Sequence, residues 1–91
     1  MQPEFEARPE VVELPAGYSG EIVTNCHAIR IRNRSTTAPL TLNVSGMAFK
    51  VAAGKSWGMD TGDVRTIIQK SFEISTGSAT ALVERVFLSK I

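Results

Sequence analysis

Ninety-one residues with 10 Lys/Arg against 9 Asp/Glu give a net charge of +1, so the chain as a whole has no strong pull towards nucleic acid or a membrane surface. One cysteine, Cys26, excludes a disulfide within the chain and fits a reducing compartment. The apolar residues come in short runs, which predicts neither a membrane span nor a signal-peptide core and leaves the cytoplasm as the default location.

The charge is unevenly distributed. Glu4, Glu6, Glu10, Glu13 and Glu21 face only Arg8 in the first 21 residues, while nine of the ten Lys/Arg follow Ala28. Such segregation signals contact with a partner or between copies. Pro3, Pro9 and Pro15 rule out a regular helix over 1–18 and disfavour a central strand. We read this stretch as an extended arm, with Val11–Leu14 as a short edge strand, and 19–91 as the folded domain. Glu21–Thr24 is a brief strand, and Asn25-Cys26-His27 breaks the alternation as a bulge or corner would.

The centre of the chain carries the clearest pattern. Ser45-Gly46 reads as a two-residue hairpin turn. It sets Val44 opposite Met47, Leu42 opposite Phe49 and Leu40 opposite Val51, with all six on one face. Ile29-Arg30-Ile31-Arg32 alternates in the same way and is expected to add a third strand, with Ile29 opposite Val44 and Arg30 opposite Asn43. Arg30, Arg32 and Arg34 then share one face, and Lys50 joins them. That face is either simply solvated or docks an anionic partner, namely the chain's own Glu-rich arm or a neighbour's. Nucleic acid is disfavoured, because the interleaved aromatics of a single-strand platform are missing.

Residues 52–63 read as a glycine-marked loop with one short strand around Trp57. From Val64 to Ser75 the chain returns to β. Gly77-Ser78 is read as a hairpin turn, which puts Ile74 opposite Ala81 and Phe72 opposite Val83. Residues 79–91 also match helical spacing, but the pairing and the neighbouring strands favour strand. As a strand it is apolar on both sides, with Val83 and Phe87 on one and Leu82, Val86 and Leu88 on the other. It therefore needs cover on both sides, the second supplied by another subunit.

The motifs that carry chemistry elsewhere read here as structure. Asp60-Thr61-Gly62 resembles the triplet of aspartic proteases, but no apolar strand precedes it and Asp63 stands where a small residue is expected; a glycine turn accounts for it. Cys26 and His27, adjacent on a strand, point to opposite faces and do not pair as nucleophile and base. One His and one Cys make a poor zinc set, and Asp60 with Asp63 would leave a calcium largely to loop carbonyls. Trp57 and Tyr18 are core packers unless they open together onto one groove. No enzyme, cofactor or metal site is expected.

The expected fold is therefore all-β: a small two-sheet antiparallel sandwich, jelly-roll-like, of six to eight strands with an extended N-terminal arm. The pattern of Ile29–Arg34, Pro39–Val44, Ser45-Gly46 and then Met47-Ala48-Phe49-Lys50-Val51-Ala52-Ala53-Gly54-Lys55-Ser56, with a C-terminal pair of strands around Thr76-Gly77, resembles small β-sandwich proteins of tailed-phage virions, over residues 20–88. Those are head-decoration, cement and fibre-base modules. The resemblance implies a non-enzymatic structural subunit, dimeric or trimeric, that caps or bridges capsid subunits in the virion. The alternative is a small β-sandwich that binds carbohydrate or a protein ligand. The residues expected to make partner or self contacts are Phe5, Glu10, Val11, Glu13, Arg30, Arg32, Arg34, Lys50, Leu82, Val86 and Leu88.

Overall fold

Ser45 and Gly46 both adopt positive φ, 54° and 82°, as a two-residue hairpin turn between right-twisted strands requires. The hairpin they close has the expected register, Val44 with Met47, Leu42 with Phe49 and Leu40 with Val51. The computed structural model describes residues 5–22, 24–63, 65–68 and 72–90. Within them lie eight strands: β1 (Phe5–Leu14), β2 (Ser19–Ile22), β3 (Ala28–Asn33), β4 (Leu40–Val44), β5 (Met47–Val51), β6 (Ser56–Asp60), β7 (Phe72–Ser75) and β8 (Ala81–Lys90). They form two antiparallel four-stranded sheets, A in the order β1-β8-β3-β6 and B in the order β2-β7-β4-β5. The fold is an all-β jelly-roll-like sandwich, and residues 81–90 are strand.

The two sheets close on one apolar interior. Ile29 and Ile31 from β3, Ala81 and Val83 from β8, and Leu14 from β1 face Leu40, Leu42, Val51, Phe72, Ile74 and Ile22 from sheet B, and all are buried. Trp57 bridges the layers, its ring 5.7 Å from Phe49 and 5.4 Å edge-on from Phe72. Of the six hairpin residues expected on one face, Val44 and Phe49 are only partly buried, and Met47, at the hairpin tip, is 70% exposed.

Two expected pairings are corrected. β3 does not lie beside β4. It belongs to sheet A, between β8 and β6, while β4 sits in sheet B. The reason is Asn33, whose buried side chain donates to the carbonyls of Ala38 (2.8 Å) and Val51 (3.0 Å) and accepts the Ser35 N–H (2.9 Å). Those bonds turn residues 34–39 into an arch that carries the chain from one sheet to the other. Nor do β7 and β8 form a hairpin. Buried Thr76 donates its hydroxyl to the Pro15 carbonyl and accepts the Tyr18 N–H, both at 2.9 Å, and Gly17 donates to Gly77. This lock between two corners sends β7 into sheet B and β8 into sheet A. Ile74 and Ala81, expected as strand neighbours, lie in opposite sheets.

The segment expected as an arm is, from Phe5 to Leu14, strand β1, paired along its whole length with β8 of its own chain. The edge strand is thus longer than Val11–Leu14. Pro9 is accommodated because it opposes Val86, whose backbone is turned towards β3, where its carbonyl accepts the His27 N–H at 2.8 Å. The proline nitrogen then faces the open sheet edge, the one place in a ladder where a missing donor costs nothing. Glu4, at the start of the expected arm, lies outside the described residues, as do Val23, Val64 and 69–71 of the expected strands.

Candidate functional site

The strand registers decide which side chains share the outer face of sheet A. From β1 come Phe5, Ala7, Pro9, Val11 and Glu13; from β8, Lys90, Leu88, Val86, Glu84 and Leu82; from β3, Ala28, Arg30 and Arg32; from β6, Asp60, Gly58 and Ser56. Ala7, Leu88, Pro9, Val86 and Ala28 form an apolar strip, continued by Phe5 at one end and Val11 at the other. Phe5 is 37% and Val11 58% exposed. Charged residues rim the strip: Glu13, Glu84 and Asp60 of one sign, Arg30, Arg32 and Lys90 of the other.

Ten of the eleven residues expected to make contacts therefore lie in sheet A or directly beside it. Phe5, Val11, Glu13, Arg30, Arg32, Leu82, Val86 and Leu88 are on its outer face. Arg34 follows β3 and pairs with Glu13 at 2.9 Å, the arm-to-arginine contact expected, made within one chain. Both partners are exposed, so the pair sets register more than it adds stability. Glu10 points the other way, towards the interior side. It pairs with Arg85, whose guanidinium also lies 5.5 Å from the Phe87 ring centroid. Lys50 is corrected: it pairs with Thr41 in sheet B, on the opposite surface of the sandwich, because β3 and β4 are in different sheets.

β8 is longer than the sheet behind it. β3 pairs with β8 only from Ala81 to Val86, so Phe5–Arg8 and Phe87–Lys90 continue as a two-stranded ribbon that helps draw the molecule out to 46 Å. His27 splices this ribbon to the body: its Nδ1 accepts the Leu88 N–H at 3.0 Å, standing in for the next rung of the β3 ladder. Sequence reasoning missed the ribbon, along with Ala7, Pro9, Gly58, Asp60, Glu84 and Lys90 on the outer face of sheet A. The signal was the period-two pattern Phe5-Ala7-Pro9-Val11, hidden by the reading of proline as a strand breaker.

Elsewhere the chemistry-bearing residues are used for structure. Asp60 Oδ1 accepts the Gly62 N–H at 2.7 Å, and Asp63 accepts from Arg65 and Thr66, so the Asp-Thr-Gly triplet is a hydrogen-bonded surface turn. Cys26 is fully buried and joined to Ile68 by a backbone bridge; burial pushes its thiol up from the ordinary value of 9.0, only partly offset by the Ala28 backbone bond. Among the described residues no three His, Cys, Asp or Glu side chains converge as a metal set would. A groove of about 420 Å³ on the outer face of sheet B is lined by Ser19, Glu21, Thr41, Asn43, Glu73 and Ser75. Neither Trp57 nor Tyr18 lines it: Trp57 is in the interior and the Tyr18 hydroxyl donates to the Glu21 carbonyl at 3.4 Å.

The architecture has solved counterparts. The chain is similar to a de novo designed double-stranded β-helix, with a TM-score of 0.56 at 13% identity over 87% of this chain and 97% of that one. It is also similar to the Cupin_2 domain of an XRE family transcriptional regulator from Enterobacter cloacae, with a TM-score of 0.55 at 10% identity over 93% and 97%. Both likenesses concern the fold alone. No protein-family model and no curated protein sequence matches the chain.

Proposed function

We propose that this chain is a non-catalytic assembly subunit that works by docking the outer face of sheet A on other protein surfaces. The observation that carries this reading is the apolar strip from Phe5 to Val11 and from Val86 to Leu88, which no described part of the chain covers. A strip of this kind with a charged rim has the anatomy of a protein–protein contact. The middle of the sandwich is packed with Ile31, Leu42, Trp57, Phe72 and Ile74. The likeness of the central hairpin to tailed-phage decoration, cement and fibre-base modules supplies the assembly: a virion, with the chain bridging or decorating capsid subunits.

Co-sedimentation of the purified chain with tailed-phage capsid shells tests this. The chain is expected to pellet with shells and not alone, and Val11→Glu, which places a charge in the strip without touching the core, is expected to release it. A chain that stays in the supernatant at tens of micromolar, or whose Val11→Glu variant pellets equally well, would overturn the reading.

A further inference from the structure

Gly58 leaves a hole in the outer face of sheet A. With Ala28 beside it, the missing side chain opens a depression of about 300 Å³, walled by Val86 and rimmed by Arg30, Asp60 and Glu84. The chain does not fill this hole with a residue of its own, since a Cβ on Gly58 would lie 3.0 Å from the Ile29 carbonyl oxygen. The same face ends, at the tip of the ribbon, in the cross-strand pair Phe5 and Lys90. One end of the face is thus an apolar knob beside a cation, and the other a depression with two carboxylates to one guanidinium. Within a single chain they do not meet: Lys90 and Glu84 are six residues apart on one strand, about 20 Å.

We propose that a second copy brings them together, as a two-fold dimer in which Phe5 and Lys90 of each ribbon tip seat in the depression over Gly58 of the other copy. Phe5 enters against Val86 and Ala28, Lys90 reaches Glu84 and Asp60, and the apolar middles of the two ribbons stack. The arrangement is self-complementary, as a two-fold contact between identical surfaces must be. It is face to face and not edge to edge, because Pro9 breaks the row of donors that a neighbour would need to extend the sheet through β1. It also covers a two-stranded ribbon that on its own is marginal in water. The strip and depression span roughly 33 by 15 Å, or about 1,000 Å² over both copies, which reaches the lower bound of a specific interface. This dimer rests on the reading of the face as a docking surface and makes a second copy its occupant in solution, which a capsid surface would displace.

The test is sedimentation equilibrium of the full chain across the micromolar range. The mass is expected to rise with concentration towards twice the 9.9 kDa of one chain. Lys90→Glu and Glu84→Lys are each expected to weaken association about tenfold or more, and the two together in one chain to restore it. Restoration reports contact between copies, since the two residues are too far apart to pair within one. Phe5→Glu, at the exposed tip, is expected to give monomer with an unchanged far-UV spectrum. A wild-type chain that stays monomeric throughout, or a double variant no better than the singles, would overturn the dimer. A monomer that still pellets with capsid shells would sink the dimer alone, whereas a dimer that ignores shells would support it and sink the docking reading.

Discussion

The side chain of Asn33 donates to the backbone carbonyl of Val51 across 18 residues of sequence, at 3.0 Å and fully buried. Its second donor goes to Ala38 and its oxygen takes the Ser35 N–H, so one amide holds the end of β3, the arch after it and the end of β5. Asn33→Leu leaves two carbonyls and one N–H without these partners, the Val51 carbonyl in a buried position and the Ala38 carbonyl and Ser35 N–H in half-buried ones. Orphaned buried groups cost about 1–3 kcal/mol each before relaxation, so a loss of about 3 kcal/mol is expected in urea unfolding. A loss under about 0.5 kcal/mol would show that water replaces the amide.

Leu42 sits at the centre of sheet B with no exposed surface. Leu42→Ala is expected to lower unfolding stability by about 2–5 kcal/mol, the range for a leucine truncated in a packed core. Met47→Ala, at the exposed hairpin tip, is expected to change it by less than about 0.5 kcal/mol. Thermal or urea unfolding of the two variants side by side checks both.

The His27–Leu88 bond predicts where the ribbon frays. His27→Phe keeps an aromatic ring but removes the acceptor, so the Leu88 N–H loses its partner on the β3 side. Amide exchange from Phe87 to Lys90 is expected to speed up about two- to tenfold, matching a lost hydrogen bond of about 0.5–1.5 kcal/mol. Exchange at Ile31 and Leu42, in the sheet centres, is expected to change little. Uniform acceleration across both sheets would instead make His27 a core support.

What was legible in the sequence was local. The Ser45-Gly46 hairpin and its register followed from turn chemistry and period-two alternation, both of which act over ten residues. The facing of Arg30, Arg32 and Arg34, and the two apolar sides of β8, followed for the same reason. Sheet membership did not. Residues 34–39 and 76–80 look like hairpin loops, and only the buried bonds of Asn33 and Thr76 to distant carbonyls show that they cross between sheets. The site was half legible: Phe5, Val11, Val86 and Leu88 were expected to make contacts, but the depression over Gly58 exists only once β6 is placed beside β3. Lys50 was placed with the arginines by the same local logic, and the sheet exchange moved it to the far surface.

Cys26 gives the fold a pH dependence whose sign follows from burial. The unfolded thiol ionises near 9.0, while in the fold desolvation holds the proton on to higher pH, against a smaller opposing pull from the Ala28 backbone bond. Above 9.0 the unfolded chain therefore binds fewer protons at this site than the folded one, and stability falls as pH rises. The contribution is fully present below 9.0 and is lost as the pH climbs through the folded-state value. Urea unfolding of wild type and Cys26→Ala at pH 7.5, about 9 and about 10 isolates it, because every other side chain is common to the two proteins. The wild type is expected to lose more stability than the variant over the upper interval and about the same over the lower. Parallel curves throughout would mean that the buried thiol ionises as readily in the fold as out of it.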